Sequence, residues 1–120
     1  CSSDLNVSAV SLSAMMVKRA AYDKAKGFDE RFRLCNCDVD FCLKVAKEGY
    51  LIAYNGGVEA YRKGSGSDGR SALTKKQQLR AEREKAFLHY RWPHLFVDGD
   101  PYMSSCLDPH APYFLLGPVQ

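Results

Sequence analysis

Between Gly27 and Tyr61 the chain runs through an ordered series of local signals, and their order restricts the fold more than any single motif does. An aromatic-rich loop, Phe28-Asp29-Glu30-Arg31-Phe32, leads to Asn36, which is suited to cap a helix beginning at Cys37. Asp38 and Asp40 fall in the first turn of that helix, where the helix dipole favours negative charge. Val39, Cys42, Leu43 and Ala46 follow the i, i+3, i+4, i+7 spacing of a buried stripe, and Gly49 ends the helix. Residues 50–54 and 58–61 read as short strands joined by an Asn55-Gly56-Gly57 turn.

The flanks extend this pattern. Residues 7–17 alternate in part, so that Val10, Leu12, Ala14 and Met16 would share one strand face opposite Ser11 and Ser13. Residues 18–25 predict a short helix closed by Gly27. After a glycine-serine loop at 63–71, Thr74 and Gln77 have the spacing of a capping box. They open a helix over 74–92 with the apolar stripe Leu79, Ala86, Phe87 and Tyr90, which Pro93 stops. The remainder reads as an extended, proline-rich tail. The expected fold class is therefore α/β, with a short mixed sheet and flanking helices over residues 1–72, and an amphipathic helix plus tail over residues 73–120.

Composition excludes several function classes. With 46% hydrophobic and 26% charged residues, the 120-residue chain is ordinary for a globular domain and unlike a disordered one. A chain this short buries a smaller share of its surface than a full enzyme domain, which leaves room for pairing with another chain, a second copy included. A net charge of +3 is too weak to imply nucleic acid, and the basic run Lys75, Lys76, Arg80, Arg83 and Lys85 has only Phe87, Tyr90 and Trp92 as interleaved aromatics. A solvated helix face and an anionic partner both account for that run. Five cysteines, Cys1, Cys35, Cys37, Cys42 and Cys106, form no regular framework and fit a reducing compartment. Cys35, Cys37 and Cys42 lack the paired spacing and nearby His of a zinc site. No apolar run approaches the ~20 residues of a membrane span. The absence of an initiator Met and of a signal peptide points to a piece of a longer chain.

Taken in order, Gly27-Phe28-Asp29-Glu30-Arg31-Phe32, then Asp38-Val39-Asp40-Phe41-Cys42-Leu43-Lys44, then Gly49-Tyr50, resemble the second half of family-2 glycosyltransferases. Residues 10–19 resemble the strand and basic pair before that loop. Gly99-Asp100-Pro101-Tyr102 with Leu107 resembles the tail of the bacterial polysaccharide-building members. The resemblance covers residues 7–70, with a weaker echo at 98–116. It implies a partial GT-A (nucleotide-diphospho-sugar transferase) fold, the acceptor-side half of an inverting enzyme that is inactive alone.

The same resemblance assigns roles. Asp38 stands where the family has its catalytic base, which takes the acceptor hydroxyl proton as that oxygen attacks the anomeric carbon. Asp29 and Asp40 fall to acceptor binding or to orienting the loop. The Asp-x-Asp that holds a divalent metal, Mg²⁺ or Mn²⁺, belongs to the donor half, which nothing in this chain matches; no metal is expected here. The sequence departs from the family at Cys37, where Glu is usual before the base, and at Arg62, where His is usual. Arg62 and Lys63 can pair with a donor diphosphate instead. Implied partners are a nucleotide-diphospho-sugar and a glycan or lipid-linked acceptor, in the cytoplasm with peripheral contact at the inner membrane face. The rival from another class is a non-catalytic interaction or assembly module that uses the basic helix as a docking face.

Overall fold

The computed structural model describes residues 4–61, 63 and 74–102. The elements are β1 (Asp4–Asn6), α1 (Arg19–Lys24), α2 (Cys37–Lys47), β2 (Ala53–Asn55), α3 (Lys75–Arg91) and α4 (Pro93–Val97), with one 3₁₀ turn at Leu12–Ala14. β1 and β2 pair antiparallel, with Leu5 opposite Tyr54, and Val7 N–H continues the ladder to the Ile52 carbonyl at 3.0 Å. A two-stranded ribbon is marginal by itself and depends on the helices packed beside it.

The core is small and sits where α1 meets α2. Ala21 and Ala25 of the first helix pack on Phe41 and Val45 of the second, with Met15, Tyr22, Tyr50 and Ile52 around them. Phe28 adds a ring 4.5 Å from Phe41. α1 ends through two residues with positive φ, Lys26 at 60° and Gly27 at 67°, and Gly27 N–H returns to the Tyr22 carbonyl at 3.0 Å. A Cβ on Gly27 would stand 2.8 Å from the Tyr22 hydroxyl oxygen, so the position requires glycine for space as well as for conformation.

Several expectations are corrected. Residues 7–17 form no strand. Ser11 Oγ accepts the Ser13 N–H at 3.2 Å and bends the chain into the 3₁₀ turn, a local bond that competes with a sheet ladder. Met16 is consequently 99% exposed, while Met15 turns to the core. Residues 58–61 form no strand either. Asn55 Oδ1 accepts the Gly57 N–H at 2.8 Å, and the partner of β2 comes from the N-terminal segment. The buried side of α2 is Asp40, Phe41, Cys42 and Val45, and Ala46 is exposed.

On α3 the buried residues are Glu84 and Leu88, whereas Leu79, Ala86 and Tyr90 face out. The Thr74–Gln77 capping box forms in full. Pro93 both ends α3 and opens α4, because a residue before proline is held out of the helical region, and Trp92 accordingly has φ −125° and ψ 59°. The loop from 64 to 71 and the tail beyond 102 lie outside the described residues.

Candidate functional site

Three of the residues marked by the sequence, Asp29, Asp38 and Asp40, are carboxylates on or beside the start of α2, and their surroundings differ sharply. Asn36 occupies the position before the helix with φ 64°, a conformation that asparagine tolerates better than most residues. Its side chain does not cap the helix, contrary to expectation. Its amide instead donates to Cys35 Sγ at 3.3 Å. Asp38, the second helical residue, takes over locally. Its Oδ1 accepts the Val39 N–H at 2.9 Å, and its Oδ2 accepts the Leu12 N–H at 3.2 Å, which fastens the 3₁₀ turn against the helix start. The side chain is half-buried, and no cation pairs with it among the described residues.

Asp29 and Asp40 are bound together by Arg91 at the end of α3. Its Nη1 lies 2.6 Å from Asp29 Oδ2 and 3.4 Å from Asp40 Oδ1. Asp29 also accepts the Arg31 backbone N–H at 2.9 Å and Arg31 Nη2 at 2.7 Å. The Arg31 guanidinium, assisted by Arg91 and opposed by burial, holds the Asp29 carboxyl well below the usual carboxylate range.

Asp40 is 0% exposed. Trp92 Nε1 donates to its Oδ1 at 2.9 Å, while its Oδ2 accepts no hydrogen bond and lies 3.9 Å from Lys44 Nζ. Lys44 itself donates to the Gly27 carbonyl, and burial lowers its pKa against the pull of Asp40. This cluster joins α2, α3 and the loop between α1 and α2 through charged groups. It is buried enough that losing one member would strand another.

The sequence reading missed Glu84. This residue is 4% exposed on α3, and its carboxylate receives the backbone N–H groups of Arg33 at 2.8 Å, Leu34 at 3.1 Å and Cys35 at 2.9 Å, with Arg80 Nε at 3.2 Å. Burial acts to raise its pKa, but the three backbone bonds and Arg80 outweigh it and bring the value from 4.5 to about 2. Glu84 thus fixes the segment entering α2, and with it the angle at which Asp38 is presented. The available signal was positional, since residue 84 lies three after Ala81 and four before Leu88, on one helical face.

Arg62 lies outside the described residues. Lys63 is exposed, and no hydrogen bond or ion pair joins it to the three carboxylates. Cys35, Cys37 and Cys42 are free thiols, and burial followed by the Glu84 carboxylate pushes Cys35 up to about 11. Among the described residues no three His, Cys, Asp or Glu side chains gather in a group able to hold a metal ion. Nor is any helix among them long and apolar enough to cross a membrane.

Comparison with known proteins places little around this geometry. No family model matches the chain, and no solved structure does. The chain is similar to an uncharacterized protein, y4gI, of Sinorhizobium fredii, with 33% identity over 95 residues that make up 78% of this chain and 10% of that protein. The chain therefore spans about a tenth of the length of the relative it matches.

Proposed function

We propose that this chain is the acceptor-side part of an inverting glycosyltransferase, with Asp38 as the general base. One observation carries the choice of residue. Of the three candidate carboxylates, Asp38 alone is engaged only by backbone N–H groups, while Asp29 and Asp40 are tied to Arg91. A carboxylate clamped by guanidinium groups is a weak base, and one sealed beneath Trp92 cannot reach a substrate.

In the proposed reaction the acceptor hydroxyl oxygen attacks the anomeric carbon of the donor sugar. Its proton passes to an Asp38 oxygen, and the bond from the anomeric carbon to the nucleoside diphosphate breaks on the opposite face. The half-burial of Asp38 limits competing water, and the turn at Leu12–Ala14 holds its carboxylate in one orientation. Asp29 and Asp40 position the loop and the helix start. Arg62 and Lys63, two cations where the family usually has a His, are assigned to the donor diphosphate by their charge. The divalent metal that the resemblance implies would be held by the donor half of the complete protein.

The test uses the complete polypeptide that contains this chain. Release of nucleoside diphosphate is followed with a panel of uridine, thymidine and guanosine diphosphate sugars and glycan acceptors. Asp38→Asn should lower turnover by about 10²–10⁴-fold, while thermal stability changes by no more than about 1 kcal/mol. Replacing Arg62 and Lys63 together with Ala should raise KM for the donor. Full turnover in Asp38→Asn removes the base assignment, and no transfer with any donor removes the glycosyltransferase reading itself.

A further inference from the structure

The N-terminal half of α3 and the loop through Arg33 and Leu34 enclose a groove of about 830 Å³ that holds none of the three candidate carboxylates. Along its helical wall lie Lys76, Leu79, Arg80, Arg83 and Phe87, which recur at the i, i+3, i+4, i+7 spacing of one helical face, with Phe87 one turn beyond. That stripe is about 16 Å long at the rise of an α-helix. Arg31 and Arg33 complete the charge on the facing wall. Two of the five cations are already engaged, Arg31 with Asp29 and Arg80 with Glu84. Arg33, Lys76 and Arg83 form no ion pair among the described residues.

Glu84, the one carboxylate that lines the groove among the described residues, is engaged by the backbone N–H groups of the facing loop. Leu34 and Leu79 are exposed within the same groove, and Phe87 forms part of its floor beneath the Arg31 guanidinium, which sits 4.5 Å from its ring.

We infer that this groove is a docking site for an acidic amphipathic helical segment of a partner protein. Cations alternating with apolar side chains at helical spacing are complemented by carboxylates alternating with apolar side chains at the same spacing. The length accommodates about three helical turns. A nucleic acid strand or a free polyphosphate would satisfy the cations and leave Leu34 and Leu79 against charge. A bilayer surface is flat, whereas these residues line a concavity. The inference goes beyond the transferase reading and stands or falls independently of it, because neither Lys76 nor Arg83 belongs to the proposed catalytic group.

The probe is a fluorescein-labelled peptide of about four helical turns, carrying Glu and Leu at i, i+3, i+4 spacing. Its binding is read by fluorescence anisotropy on the whole chain. Comparison ligands are a scrambled peptide of the same composition, polyglutamate, and phosphatidylglycerol vesicles. The expected result is micromolar binding of the patterned peptide, weakened at least about tenfold by Lys76→Glu with Arg83→Glu. Lys47→Glu, on an exposed position of α2, should leave it unchanged. Both replaced side chains are exposed, so circular dichroism should show the double variant folded.

Several results would overturn the inference. They are no binding of the patterned peptide, equal binding of the scrambled peptide or polyglutamate, preference for vesicles, and self-association of the chain that the double variant abolishes.

Discussion

Glu84→Gln is the sharpest test of how this fold is held together. The wild-type carboxylate accepts three backbone N–H groups and one arginine in a site only 4% exposed. The glutamine amide keeps one acceptor oxygen and turns an NH₂ toward N–H donors, so at least one of Arg33, Leu34 and Cys35 loses its partner. The fall in carboxyl pKa from 4.5 to about 2 corresponds to about 3 kcal/mol, at about 1.4 kcal/mol for each pH unit. Arg80 is a lesser part of this, because it is half in solvent.

A loss of about 2–4 kcal/mol is therefore expected in urea unfolding followed by circular dichroism, with Tm lower by about 10–20 °C. The pH dependence has a definite sign. Because the folded-state pKa lies below the ordinary value, the contribution is complete above pH 4.5 and disappears as the pH falls to about 2. The gap between wild type and variant should close over that window. A loss below about 0.5 kcal/mol at neutral pH, or a gap that does not change between pH 5 and pH 2, would refute the reasoning.

Two further outcomes follow from the same structure. Arg91→Ala removes the cation shared by Asp29 and the fully buried Asp40, and chemical denaturation should register a loss of about 3–5 kcal/mol, part of it recovered when Asp40→Asn is added. Gly27→Ala places a methyl group against the Tyr22 hydroxyl at a backbone φ of 67°, and thermal melting should show a loss of about 1–2 kcal/mol.

The parts of the fold legible in the sequence are those set by local chemistry. Cys37 does begin α2 and residue 49 does follow its end, because a polar residue tolerant of positive φ precedes the helix and a glycine follows it. Thr74 and Gln77 do cap α3, because both bonds of a capping box lie within four residues. The stripes of α2 and α3 hold only in part, at Cys42 and, half-buried, at Val39, Leu43 and Phe87, and depart elsewhere for a shared reason. Apolar periodicity assumes that charged residues face water, and here Asp40, Glu84 and Arg91 face inward toward partners far away in the chain. The strand expected over 7–17 failed at Ser11 and Ser13, whose hydroxyls offered the backbone a competing bond. Pairing of β1 with β2 joins segments nearly fifty residues apart, and short-range pattern carries no record of it.

In the sequence, Asp38 was set apart from Asp40 by the family resemblance alone, and local chemistry does not separate them. Asp38 and Asp40 have the same chemistry, occupy the same helical turn and differ by two positions. Two positions on an α-helix are a rotation of about 200°, so the pair cannot share an environment once the helix docks. Packing Phe41 against Ala21 sets that rotation. It drives Asp40 under Trp92 and against Arg91, and it leaves Asp38 on the side of Leu12. Arg91 then serves Asp40 and Asp29 together, which fixes the loop before α2 without placing a cation on Asp38. Arg91 thus engages two of the three carboxylates, and the third is held by backbone N–H groups. In the proposed reading the helix therefore acts through Asp38, because Asp40 on the same helix and Asp29 on the preceding loop are engaged by Arg91.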